Sequence, residues 1–97
     1  MKTYYVYILK CADNSYYTGV TDDLEKRINE HQYGTDPKSY TYNRRPVTLV
    51  FVEYFQNPID AISREKQIKG WSRKKKEALI NGEWDKLMMY SRGKHKK

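Results

Sequence analysis

The chain is poor in several residue types. Among 97 residues there is one cysteine, Cys11, with three prolines, five glycines and no run of 18 apolar residues. A lone cysteine excludes a disulfide framework and a cysteine-rich zinc centre, and fits a reducing compartment. The lack of a long apolar run excludes a membrane-spanning helix, and Met1-Lys2-Thr3-Tyr4 begins a strand pattern rather than a signal sequence. A soluble, cytoplasmic protein with no membrane partner is expected. No internal repeat or linker divides it, and the length suits one domain, assigned to residues 1–90, followed by a basic disordered tail at 91–97.

Basic and aromatic residues are abundant. Nineteen Lys and Arg face twelve Asp and Glu, giving +7, and ten tyrosines and two tryptophans must supply much of the packing. The segment from Arg92 to Lys97 carries four of the positive charges and leaves +3 without it. More telling is Arg73-Lys74-Lys75-Lys76 beside Trp71, which with Arg44, Arg45, Lys66 and Lys69 makes a polyanion the natural partner, since clustered cations release counterions from phosphates. An ordinary solvated helix face is the plainer account of that run.

Residues from Tyr4 to Cys11 and Tyr16 to Val20 read as strands joined by the turn Ala12-Asp13-Asn14-Ser15. Both faces of the first strand are apolar, so it is expected to be central. Thr21 or Asp22 should cap a helix over about 22–33, with Asp22 and Glu25 as a capping box, Leu24, Ile28 and His31 inward, and Gly34 as its stop. Thr35 to Pro46 reads as a mobile functional loop. Val47 to Tyr54 is the most apolar strand and suits a buried position. Asn57 and Pro58 open a helix with Ala61, Ile62, Glu65 and Ile68 inward, Gly70 ends it, and Ser72 starts another to about Ile80. Trp84, Leu87 and Met88 suit a last packed turn. The expected fold is α+β: a small, three-stranded, mainly antiparallel sheet covered by helices, in the order ββαβαα.

Glu65 breaks an apolar stripe. Its carboxylate needs a cation, a metal or a donor, or else it is an edge residue paired with Lys69 four positions on. Arg27 and His31, also four apart, point the same way and are placed to approach one phosphate, although an arginine on an exposed helix face usually faces solvent and a histidine at a stripe edge usually packs or accepts one hydrogen bond. Tyr7 and Tyr17 suit strand cores, and Gly19 suits a bend or a close approach. Cleaving a phosphodiester needs a proton acceptor for water, a cation at the phosphate and usually a carboxylate-held metal. The chain has candidates for each.

Taken together, Tyr5-Val6-Tyr7-Ile8-Leu9, Tyr17-Thr18-Gly19-Val20-Thr21 with Asp23-Leu24-Glu25-Lys26-Arg27, and Arg64-Glu65-Lys66-Gln67-Ile68-Lys69-Gly70-Trp71 resemble the GIY-YIG nuclease family over about residues 3–81. The likeness is nearest to small stand-alone members with no separate DNA-binding domain. It departs in both triplets, which read Tyr-Val-Tyr and Tyr-Thr-Gly here, but keeps both tyrosines and the second glycine. The resemblance implies hydrolysis of nucleic-acid phosphodiesters, DNA foremost, with one divalent ion, commonly Mg²⁺ with Mn²⁺ as its substitute. Glu65 would hold that ion, Tyr7 would activate water, Tyr17 would orient water or phosphate, Arg27 would offset charge on the phosphoryl oxygens, and His31 would move a proton or bind phosphate. Gly19 and Asn81 would support the site, and Arg44, Arg45, Lys69, Arg73, Lys74, Lys75 and Lys76 would bind nucleic acid. Site-specific recognition would need a separate targeting protein. The competing reading is a nucleic-acid-binding module that keeps this fold without chemistry.

Overall fold

A computed structural model describes residues 2–93. Strands β1 (Tyr4–Lys10), β2 (Tyr16–Thr21) and β3 (Thr48–Phe55) form one sheet in the order β2-β1-β3, antiparallel at both junctions. Helices α1 (Leu24–Tyr33), α2 (Pro58–Lys69), α3 (Arg73–Ile80) and α4 (Trp84–Gly93) complete an α+β layer. The expected last turn is a full fourth helix, and of the three residues expected to pack only Leu87 lies on the core, whereas Trp84 and Met88 are 59% and 61% exposed because the thin core is already covered by α2 and α3. The helix also runs past residue 90, so residues 91–93 belong to α4, while residues 94–97 lie outside the described part.

As its two apolar faces require, β1 is the central strand, and Val6, Tyr7, Ile8 and Leu9 have no exposed surface. Alternation sends Val6 and Ile8 toward Ala61 and Ile68 of α2 and Leu79 of α3. Tyr7 and Leu9 pack on the other side with Cys11, Val47, Tyr17, Leu24 and Ile28. Two thin cores therefore sandwich one sheet. β3 is an edge strand, only half-buried, because β1 already pairs with β2 on its other side. A high apolar content reflected cover on the faces and carried no information about lateral neighbours.

The caps explain where the helices begin. Asp23 caps α1 by accepting from Lys26 N at 3.2 Å, and Thr21 Oγ1 in turn accepts from Asp23 N at 3.1 Å. Thr21 therefore braces the cap, while Asp22 turns outward to an ion pair with Lys2 and forms no capping box. Gly34, at φ 67°, closes α1. Asn57 caps α2 by accepting from Ile59 N at 2.8 Å, and Ser72 caps α3 by accepting from Lys75 N at 3.3 Å. Ala61, Glu65 and Ile68 are the buried residues of α2, whereas Ile62 lies 44% exposed on the outer side.

Hydrogen bonds at its C-terminal end tie the segment 35–46 to α1 and to the β1–β2 turn. Gln32 of α1 clamps Val47, donating to its carbonyl and accepting from its N–H at 2.9 Å, while Ala12 N donates to Arg44 O at 2.8 Å. A short 3₁₀ turn spans Tyr42–Arg44. These bonds satisfy backbone groups that water would otherwise solvate, and they press the segment onto α1.

The burial pattern predicts unequal costs along α2. Ile68→Ala should lower unfolding free energy by about 2 to 5 kcal/mol, and Ile62→Ala by about 0.5 kcal/mol or less, read from urea denaturation midpoints. Equal losses would mean that the inward face is misassigned.

Candidate active site

The first tyrosine of the pattern sits on β1 opposite Gly19 of β2. A Cβ added at Gly19 would lie 2.4 Å from the Tyr7 hydroxyl oxygen and 2.5 Å from Cζ, so only glycine lets this phenol pass across the neighbouring strand. Beyond it the Tyr7 hydroxyl meets His31 Nε2 at 3.0 Å. The other ring nitrogen, Nδ1, is 2.8 Å from Thr41 Oγ1. His31 is buried at the inner edge of α1, and Arg27, one turn earlier on the same helix, lies alongside Tyr7 and pairs with Glu30 at 3.1 Å. Arg27, Glu30, His31, Ser39 and Thr41 line one narrow cleft.

Tyr17 extends this cluster toward the outside. Its ring is 5.0 Å from the His31 ring and 6.3 Å from that of Tyr7, measured between centroids. Tyr40 stacks on its other side at 6.0 Å, and the Arg44 guanidinium covers Tyr40 at 3.9 Å. Tyr7, Tyr17, Arg27 and His31 therefore converge on the α1 side of the sheet. Glu65 starts from α2, on the opposite side of the sheet, and its contact toward these residues runs through Lys69. The lysine bonds Glu65 Oε2 at 2.8 Å and lies 5.9 Å from the centre of the Tyr17 ring. The structure thus pairs Glu65 with Lys69, four positions on, and Lys69 links that pair to Tyr17.

Electrostatics divides the cluster by proton affinity. Burial pushes the Tyr7 phenol up to about 12, neighbouring Tyr17 adds to the rise, and the Arg27 guanidinium offsets only part of it. His31 moves the other way, below its usual 6.5, first because burial disfavours the imidazolium and then because Arg27 repels it. At neutral pH a protonated phenol therefore faces a neutral imidazole. Lys69 is raised, chiefly by its bond to Glu65, and Lys76 is lowered by burial and by the nearby Lys69 charge. Those two ammonium groups crowd the Glu65 side, as Arg27 does the His31 side.

The basic residues expected to meet nucleic acid fall into two sets. Lys75 is only 6% exposed, with its ammonium 4.3 Å from the Trp71 ring centre, because helical period turns position 75 inward from the run. Arg45 braces the end of α1, donating to Tyr42 O at 2.8 Å and lying against Gly34. Arg44 is held by Asp13 at 3.0 Å, and Arg73 by Glu77 at 3.1 Å while it covers the Tyr16 ring. Arg73 and Lys74 are exposed on α3. Asn81 caps α3, where its backbone N–H donates to Glu77 O at 2.9 Å, and among the described residues no bond ties it to the cluster.

The profile of the GIY-YIG catalytic domain matches residues 3–78, a span that holds both tyrosines, Arg27, His31 and Glu65. The chain belongs to the GIY-YIG family. UPF0213 proteins are close relatives: that of Staphylococcus saprophyticus is 49% identical over 81 residues, covering 84% of this chain and 98% of its own. The UPF0213 protein of Clostridium perfringens is 53% identical over 77 residues, covering 79% and 82%. The solution structure of a UPF0213 protein from Bacillus halodurans is similar at a TM-score of 0.54 and 42% identity, covering 81% of this chain and 83% of that one. That of a protein from E. faecalis gives 0.60 and 36%, covering 84% and 86%. GIY-YIG membership places the chain in a nuclease family that acts on nucleic acid and generally uses a divalent metal ion. Among the described residues no helix is long and apolar enough to cross a membrane.

Thr41, Ser39 and Tyr40 had no signature in the sequence, because a polar tyrosine-bearing loop offers no periodicity. The Tyr7 environment yields a stability prediction. Tyr7 stays neutral in the fold up to about 12 but ionises near 10.0 in the unfolded chain, so its contribution is complete below pH 10 and is lost as pH rises toward 12. The stability gap between wild type and Tyr7→Phe should therefore shrink by about 2 to 3 kcal/mol over that interval, at 1.36 kcal/mol per unit. A gap independent of pH would contradict the buried phenol.

Proposed function

We propose that the protein is a metal-dependent endonuclease that hydrolyses phosphodiester bonds of DNA at the cluster of Tyr7, Tyr17, Arg27, His31 and Glu65. The carrying observation is the pairing of a protonated phenol with a neutral imidazole 3.0 Å away, flanked by cations on both sides. A phenol held near 12 is a poor base by itself. It becomes one when it passes its own proton to His31 Nε2 while taking a proton from water. The resulting hydroxide bonds to phosphorus as the phosphorus–oxygen ester bond breaks, the departing alkoxide takes a proton from solvent, and His31 returns its extra proton to solvent. Arg27 on one side, with Lys69 and Lys76 on the other, is placed to offset the charge on the phosphoryl oxygens. Tyr7 has no exposed surface, so its hydroxyl meets water only after a neighbouring ring or side chain shifts. Tyr17, half-buried above it, is the group that first meets the substrate.

Among the described residues no three His, Cys, Asp or Glu side chains cluster. The donor set therefore fits an ion that keeps most of its water and takes phosphate oxygens, as Mg²⁺ does, with Glu65 as the protein's carboxylate. Such an ion would polarise the phosphoryl group and lower the pKa of a bound water. The Glu65 side chain is nearly buried, whereas its partner Lys69 is mostly exposed, so the lysine is able to exchange the carboxylate for a phosphate.

Purified protein should cut branched, single-stranded or duplex DNA in Mg²⁺ or Mn²⁺ and not in EDTA, and Glu65→Gln should lose at least about 100-fold in rate. Salt-sensitive binding with no cleavage, unchanged by Glu65→Gln, would establish the inactive binding module instead. The rate should also fall as pH drops through the His31 value, which lies below 6.5, because the protonated imidazole no longer accepts from Tyr7. A pH–rate profile flat through that acidic range would exclude the relay.

A further inference from the structure

Thr41 is fully buried, although it lies in a polar segment whose sequence shows no apolar periodicity. Its hydroxyl is 2.8 Å from His31 Nδ1 and 3.1 Å from Ser39 Oγ, and Ser39 Oγ also accepts from Thr41 N at 3.4 Å. These contacts form a continuous chain from Ser39 through Thr41 and His31 to Tyr7. Only one distribution of protons satisfies every member. The Arg27 guanidinium can only donate, so the Tyr7 oxygen serves it as acceptor and the Tyr7 hydroxyl proton must go to the remaining neighbour, His31 Nε2. A neutral imidazole that accepts at Nε2 carries its proton on Nδ1, and that proton points at Thr41 Oγ1. Thr41 then gives its own proton to Ser39 Oγ.

We propose that Thr41 is a positioning residue of this site, its hydroxyl accepting from His31 Nδ1–H and so fixing the tautomer whose Nε2 receives the Tyr7 proton. Its effect on rate rests on the nuclease reading, but its effect on the imidazole does not. The opposite tautomer would place a donor against a donor at Tyr7 and stop the relay without disturbing the fold. The groups facing His31 are Tyr7 and Tyr17 from the sheet, Arg27 and Glu30 from α1, and Thr41 from the segment 35–46. Among them Thr41 alone touches Nδ1.

Long-range ¹⁵N–¹H spectra of wild type, recorded above pH 7, should show the His31 proton on Nδ1. In Thr41→Val, which keeps the shape and removes the hydroxyl, it should move to Nε2, and Thr41→Ser should restore it. With Mg²⁺ and DNA, kcat should fall about 10- to 100-fold in Thr41→Val with KM little changed, and return to within about threefold in Thr41→Ser. A wild-type proton on Nε2 overturns the proposal even if Thr41→Val does not fold, and so does a Thr41→Val variant with unchanged tautomer and rate. The predicted tautomers without DNA cleavage by wild type would sustain the positioning of His31 and overturn the nuclease reading alone.

Discussion

One buried hydrogen bond, between the Tyr7 hydroxyl and His31 Nε2, is the point at which fold and site coincide. It joins the central strand to the first helix through two side chains that burial alone would penalise. A buried polar group left without a partner costs about 1 to 3 kcal/mol, so each of these two requires the other. Three features exist to permit the bond. Gly19 lets the phenol cross the β2 backbone, Gly34 ends α1 just beyond His31, and the clamp of Gln32 on Val47 holds the segment bearing Thr41 against the helix.

Around that bond the charges are arranged in shells of increasing exposure. Innermost are neutral groups, Tyr7, His31 and Thr41. Arg27 stands to one side, and on another Lys69, bonded to Glu65 of the same helix, lies near the Tyr17 ring. Tyr17 lies between the two halves and contacts both. Under the proposed function, a phosphodiester entering there would meet cations first and the Tyr7–His31 pair last. Such an order suits hydrolysis, since the reacting proton acceptor stays shielded from bulk water. Tyr16, bonded to Glu77 at 3.2 Å, and Arg64, bonded to Glu53 at 2.9 Å, tie α3 and α2 to the two edge strands and keep the halves in register.

Much of this was legible in the chain because it is written in local periods. Two apolar faces marked β1 as central, Asn57-Pro58 and Ser72 marked helix starts, and a glutamate in an apolar stripe marked Glu65, with Lys69 four positions on as a candidate partner. What escaped depended on contacts between distant segments. The edge position of β3 follows from which strand β1 had already paired with, a fact absent from Val47 to Tyr54 itself. Asp23, not Thr21 or Asp22, caps α1 because Thr21 is engaged in supporting it. Lys75 turns inward because the helix carrying it packs on Trp71, and charge alone gave no hint of direction. Thr41 was invisible for the same reason: its role is defined by His31, ten positions away.

If Tyr7 and His31 act as one proton-transferring unit, removing both should cost no more than removing the more important one. The decisive measurement is a double-mutant cycle of DNA cleavage in Mg²⁺ with Tyr7→Phe, His31→Ala and the combined variant. The account predicts that the combined variant is no slower than the slower single variant. Multiplying losses, or single variants that cut as fast as wild type, would contradict it.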